Sequence, residues 1–325
     1  MMTVRRTALA LAAATALAAL AATTSTPERW VDVLDTPALE SPLAARALLN
    51  GLARAGDRVV AVGQRGHILL SDDAGQNWKQ ATVPVSSDLV AVHFPTPQLG
   101  WAVGHDGVVL HSADAGRSWK RQRDGRPNAA DTPLLDVWFQ DERTGYAVGA
   151  FGLLLHTTDG GAEWKSLQQA SDNPKNMHLY AVRGIAGELY IAGEQGLLLK
   201  LDRAASRFVA LTLPYKGTLF GVTGNSRAVV VHGLRGNVLR STDAGASWQA
   251  VPTGLQVGMT ASATGADGSI LLASQAGHLL TSRDDGATFV PLKTERPFPA
   301  AAVLAVASGR VLVAGPRGVQ AQPLP

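Results

Sequence analysis

The segment Ser71 to Trp78 carries the pattern Ser/Thr-x-Asp-x-Gly-x-x-Trp, and the pattern returns at Ser112 to Trp119, Thr157 to Trp164 and Ser241 to Trp248. Its fixed residues are Asp73, Gly75 and Trp78; Asp114, Gly116 and Trp119; Asp159, Gly161 and Trp164; Asp243, Gly245 and Trp248. A fifth copy has phenylalanine for tryptophan, with Asp284, Gly286 and Phe289, and a sixth is nearly erased between Leu201 and Phe208. A motif repeating at this scale restricts the chain to repeat architectures, because each unit must bury its apolar surface against a neighbouring copy.

A second repeat lies upstream of each box. A short apolar run leads into a glycine-closed turn, and the closing glycines are Gly66, Gly107, Gly152, Gly196, Gly236, Gly277 and Gly318. Subtracting successive numbers gives intervals of 40 to 45 residues. Each interval holds four β-like runs. In the second copy these are Leu89 to Phe94, Trp101 to Val103, Val108 to His111 and Ser118 to Arg121. Short connections make such runs an antiparallel meander. Four strands per ~40 residues is the period of a propeller blade. The expected fold is therefore all-β, a seven-bladed propeller of four-stranded antiparallel blades. A β-sandwich would not repeat so regularly, and a β-helix has a shorter period.

The termini suggest how the ring closes. The last copy supplies three runs, Ala301 to Ala307, Arg310 to Ala314 and Val319 to Gln322, one short of a blade. The alternating stretch at 29–34, centred on Trp30-Val31-Asp32-Val33-Leu34, is expected to be the missing fourth strand. That pairing would remove an exposed edge and couple the last blade to the first. The propeller is then a single domain over residues 28–325.

Residues 1–22 read as an export signal. Arg5 and Arg6 precede the apolar run Thr7 to Ala22, and Ala19-Leu20-Ala21 supplies a small-x-small cleavage pattern. The expected location is the periplasm or the exterior, with at most peripheral contact with a membrane. Cysteine is absent, so disulfides and a lipid-modified cysteine are both ruled out. The formal net charge is +3, and Arg5 and Arg6 account for two of those charges. That balance does not suit a nucleic-acid binder.

Turn formation and packing account for every residue of the box. The glycine suits positive φ, the Asp and Ser/Thr oxygens cap backbone N–H groups, and the tryptophan buries a large ring. The spacing is not that of a calcium loop.

Taken together, the repeats resemble the Asp-boxes, or bacterial neuraminidase repeats, of sialidases, sortilin-type receptors and photosystem II stability/assembly factors. The run Val62 to Trp78 follows the last family's pattern, Ala-Val-Gly-x-x-Gly-x-Ile-Leu-x-Ser/Thr-x-Asp-x-Gly-x-x-Trp, almost throughout. The resemblance spans essentially all of the chain after the signal. It implies an exported, non-enzymatic propeller, expected to be a monomer without cofactors. Such a protein acts as a scaffold or assembly chaperone for a membrane complex or its precursor subunit, as in photosynthesis. A sialidase-type glycan-active propeller is the alternative, and a receptor-like module of an envelope complex is a third reading.

Strand alternation places the second-to-third-strand hairpins and the inter-blade connections on one face, and the boxes on the other. The residue before each closing glycine is Arg65, Asp106, Phe151, Gln195, Arg235, Ala276 and Arg317 in turn. Arg65, Arg235 and Arg317, with Arg121, Arg123 and Arg126 of the long connection to Pro133, form a candidate basic arc for a protein partner. The resembled assembly factors use an arginine-rich surface in this way. A second long connection, Gln168 to His178, and Tyr215 and Lys216 lie on the same face. No catalytic or metal-binding constellation emerges. Three of the four tyrosines, Tyr146, Tyr180 and Tyr190, replace core residues of other repeats, and the sialidase Arg-Ile-Pro stretch is missing. Histidines such as His67 and His278, or His111 and His156, occupy equivalent positions in different blades and need not converge.

Overall fold

A computed structural model describes residues 31–126, 132–294, 297–306 and 309–323. The proposed signal segment, Trp30 and residues 127–131 lie outside them. From Asp32 onward the chain is one compact unit. Among the described residues it comprises seven antiparallel sheets, six of four strands and a last one of three.

The first strand of each blade lines a central channel. These strands are Leu49–Ala55, Leu89–His93, Leu134–Phe139, Leu179–Ile185, Leu219–Gly224, Met259–Thr264 and Ala302–Val306. Each packs on the next, and the last packs on the first, so the ring is closed. The second strands, such as Gly100–Gly104 and Val229–Gly233, are buried on both faces, so they read as continuous apolar runs. Aromatic side chains fill the wedges between blades. Trp101 stacks on Phe139 of the following blade at a centroid distance of 3.6 Å.

The boxes form the turns between third and fourth strands. In the first, Ser71 Oγ donates to Asp73 Oδ1 at 2.8 Å and accepts from Gly75 N at 2.8 Å. Asp73 Oδ1 also accepts from the backbone N–H groups of Gln76 and Asn77. The Trp78 indole donates to Gly75 O at 3.1 Å. Trp119 and Trp248 repeat this bond, while the Trp164 indole N–H finds no partner. With Phe289 for tryptophan, the fifth copy keeps the Ser282, Asp284 and Gly286 bonds. The sixth is a plainer turn in which Asp202 caps Ala204 and Ala205 while Phe208 stays buried.

Each box also touches the preceding blade. A Cβ on Gly116 would meet Leu70 of blade 1, and one on Gly286 would come within 2.5 Å of Val230 of blade 5. The box is therefore an inter-blade fastener as well as a turn.

The N-terminal segment departs from expectation. Residues 33–36 form a turn and a bend, and among the described residues the seventh sheet has three strands: Ala302–Val306, Arg310–Gly315 and Gly318–Pro323. The cause is local. The Asp32 carboxylate accepts from Leu34 N, and Asp32 O accepts from Asp35 N and the Thr36 hydroxyl. These bonds hold the chain in a turn that competes with strand pairing.

The segment is instead a strap over blade 1, running from its junction with blade 2 to blade 7. Leu34 is buried in the core shared by blades 1 and 2. Val33 O accepts from Ser86 N, Ala38 N donates to Val83 O, and Leu39 O accepts from the Gln80 side chain. The short 3-10 turn Ala44–Arg46 then packs on the outer strand of blade 7, where Ala45 O lies against Gly318. In other blades the outgoing connection fills the equivalent place, as Val85 O does at Gly66. At Gly318 the Ala44–Arg46 turn thus fills the place that an outgoing connection fills in other blades.

Candidate functional site

The hairpins and inter-blade connections gather on one face, as the strand order requires. Each hairpin is tied to a neighbouring connection. The Arg65 amide donates to Asp88 Oδ1 at 2.7 Å, Phe151 N donates to His178 Nδ1 at 2.8 Å, and Ser87 donates to Asp106 at 2.7 Å. The residue before the closing glycine adopts a left-handed conformation in five blades, with φ of 53° at Arg65 and 56° at Arg235. This conformation projects its side chain from a rigid turn.

The six candidate arginines divide into two groups. Arg65, Arg235 and Arg317 are exposed and form no ion pair among the described residues. Arg317 lies over the Phe298 ring at 5.5 Å. Arg65 and Arg317 occupy neighbouring blades across the seam, while Arg235 stands on the fifth. Arg121, Arg123 and Arg126 are engaged within the protein. Arg121 and Arg123 belong to the outer strand Lys120–Arg123 rather than to a loop. The Arg121 guanidinium bonds Leu34 O and Asp35, and Arg123 donates to Gly107 O at 2.9 Å. Arg126 pairs with Asp35 at 2.7 Å and Asp124 at 2.8 Å. Its hydrogen bond holds the Asp35 carboxyl below the usual carboxylate range. Arg121 and Arg126 fasten the strap and Arg123 fastens the second hairpin, so the unpaired arginines of the candidate arc are Arg65, Arg235 and Arg317.

The channel mouth on this face supplies groups that the linear reading did not single out. Six first strands carry a bulge one residue in, at Asn50, Val90, Leu135, Tyr180, Phe220 and Thr260. A bulge leaves its extra residue unpaired and re-aims its side chain. These side chains are half-buried, and all six residues line a recess of about 180 Å³. Tyr180, expected in the core, belongs to this rim; Tyr146 and Tyr190 are buried as expected.

Below the rim, Asp136 and Arg183 form an ion pair, and Asp136 also accepts from Val182 N at 2.8 Å. Burial pushes the Asp136 carboxyl upward, against the pull of Arg183. The pair is lopsided: the Asp136 side chain is 6% exposed and the Arg183 side chain 42%, so its cation faces the channel. His93 and His232 stand nearby. Burial first, and the Arg183 charge after it, lowers His93 to about 3. Burial likewise lowers His232 to about 4. Both are neutral near pH 7. A comparison of the repeats carries one clue to this pair: Asp136 stands where the other first strands have Gly51, Ala91, Ala181, Gly221 and Ala261.

Among the described residues no group of three His, Cys, Asp or Glu side chains is placed to hold a metal ion. Two tyrosines have a glutamate near them, Tyr190 with Glu188 and the rim residue Tyr180 with Glu194. However, Tyr190 is fully buried, its hydroxyl donates to Ala244 O at 3.1 Å, and burial pushes it up to about 12.

Fold and face together define a seven-bladed β-propeller with a rigid hairpin face around a polar channel mouth. The chain belongs to the photosynthesis system II assembly factor YCF48 family, whose model matches residues 54–126 and 127–290. Among solved structures, one described as YCF48 bound to D1 peptide superposes with a TM-score of 0.70 at 18% identity, covering 89% of this chain and 99% of that one. YCF48 from Cyanidioschyzon merolae gives 0.70 at 18% identity over 87% and 98%. A streptogramin B lyase gives 0.70 at 14% identity over 85% and 93%. At these identities the superpositions establish the fold, which an enzyme shares. No curated protein matches the sequence.

Proposed function

We propose that this propeller holds a segment of a protein partner on its hairpin face, as a scaffold or assembly chaperone for a membrane complex or its precursor subunit. The observation that carries the reading is family membership, since a YCF48 structure contains a bound D1 peptide. Arg65, Arg235 and Arg317 are the proposed contacts, because they stand exposed and unpaired on rigid turns. The protein works as a monomer without turnover. It acts outside the cytoplasm after removal of residues 1–22.

The test is affinity capture from the native envelope with identification of the captured protein. The reading expects a discrete membrane-complex subunit, lost when Arg65→Glu, Arg235→Glu and Arg317→Glu are combined. Retention of the partner by the triple variant, or hydrolysis of sialosides by the purified protein, would overturn it.

A further inference from the structure

The hairpin face carries an aromatic row that the basic arc does not use. Phe151, at the tip of the third hairpin, is 62% exposed. Its ring lies 4.9 Å from His178, which lies 6.3 Å from Tyr180, which lies 5.8 Å from Phe220. The row crosses blades 3, 4 and 5 and runs to the channel mouth. Leu234, 38% exposed, lies beyond it on blade 5 beside Arg235. An exposed phenylalanine on a rigid left-handed turn costs solvation and earns nothing in the core. Phe151 and Leu234 are exposed and the rings of His178, Tyr180 and Phe220 half-buried, an aromatic strip of the kind that marks interaction sites.

Two further observations define the occupant. Arg183, below Tyr180 in the same recess, turns its guanidinium towards the channel while its carboxylate partner Asp136 is buried beneath it. The cations beside the row, Lys216 and Arg235, form no ion pair among the described residues. The recess, at about 180 Å³, is smaller than the usual small-molecule pocket and fits one side chain. Because the row runs from the Phe151 hairpin to the rim of the mouth at Phe220, it suits an extended chain that lies over blades 3 to 5 with one side chain reaching into the recess.

We propose that Phe151, Tyr180 and Phe220, with Arg183 beneath them, form an anchor site for an extended internal segment of a protein partner that carries an acidic side chain next to an apolar one. The apolar side chain lies on the aromatic row, and the carboxylate enters the mouth to meet Arg183. The site deepens the protein-holding reading and rests on it, but uses residues separate from Arg65 and Arg317.

The test is an array of decapeptides, acetylated and amidated, in a glycine/serine background. Each carries one glutamate and one leucine or phenylalanine at spacings of one to four. Full-length protein should bind these about tenfold better than arrays with glutamine for glutamate or glycine for the apolar residue. Phe151→Ser and Phe220→Ser should each remove most of that preference at an unchanged melting temperature. Arg183→Met combined with Asp136→Asn, which removes both charges together, should remove the glutamate dependence alone. Equal binding of glutamine peptides, binding that requires a free C-terminal carboxylate, or indifference to both phenylalanine variants would each overturn the site. If the Phe151→Ser/Phe220→Ser double variant captures the native partner as well as the wild type does, the anchor is wrong while the protein-holding reading stands. That reading fails separately, if the wild type captures nothing.

Discussion

Gly75 of the first box lies against Leu312 of the seventh blade so closely that a Cβ on Gly75 would stand 2.8 Å from Leu312 Cδ2. The contact crosses the seam between the first and last blades, and Gly75 has φ of 87°. Gly75→Ala should therefore strain the backbone by about 1–3 kcal/mol, with about 1–3 kcal/mol more from overpacking the seam. Gly187→Ala, also at positive φ but with open space around it, should cost only the strain. Urea denaturation of both variants measures the difference.

The strap supports a second prediction. Leu34 is buried between blades 1 and 2, so Leu34→Ala should cost about 2–4 kcal/mol. Removing residues 32–43 should lower the melting temperature more than any single strap substitution. The Asp35→Asn change should have a smaller effect that fades with salt, because Asp35 is exposed. Thermal melts at two ionic strengths read both.

Acid sensitivity should unfold in two steps. His93 and His232 are lowered to about 3 and about 4, below the ordinary 6.5. Their depressed values mean the unfolded chain binds protons first, so stability is full above pH 6.5 and declines as pH falls towards 4. The box carboxylates follow. The Asn77 amide bond lowers Asp73 to about 2, the Ser247 hydroxyl does the same for Asp243, and the Thr288 hydroxyl for Asp284. Their contribution is present above about 3.8 and lost as pH falls through 2. Melting temperature against pH should show both phases, and Asp73→Asn should flatten only the second.

Arg183→Ala alone should destabilise the protein by about 1–3 kcal/mol, because it leaves the buried Asp136 carboxyl without its cation while Val182 N still donates to it. Adding Asp136→Asn should recover most of the loss. Chemical denaturation of the single and double variants checks this.

The sequence displays the blades plainly because turn chemistry is local. Ser71, Asp73, Gly75 and Trp78 bond to one another within eight residues, so the box is readable anywhere it recurs. Even the erased copy was legible, since Phe208 alone marks its core position. The strap was not legible. Val31 to Leu34 alternate like a strand, but the Asp32 side chain bonds Leu34 N and decides for a turn. The roles of Arg121 and Arg126 depended on that outcome, because Asp35 reaches them only when the chain folds over blade 1. The channel mouth was hidden for a different reason. Asp136 and Arg183 come from different blades, and Tyr180 faces the channel only because of a bulge, which no residue pattern in a single repeat announces.

The central claim is that partners are held on the hairpin face, away from the boxes. A photo-crosslinking residue placed at Gln64 or Gln195, both on hairpins, tests it against the same residue at Gln76 in the first box. In the native envelope, the account predicts one discrete protein adduct from Gln64 and Gln195 and none from Gln76. An adduct from Gln76 with none from the two hairpin positions would contradict it.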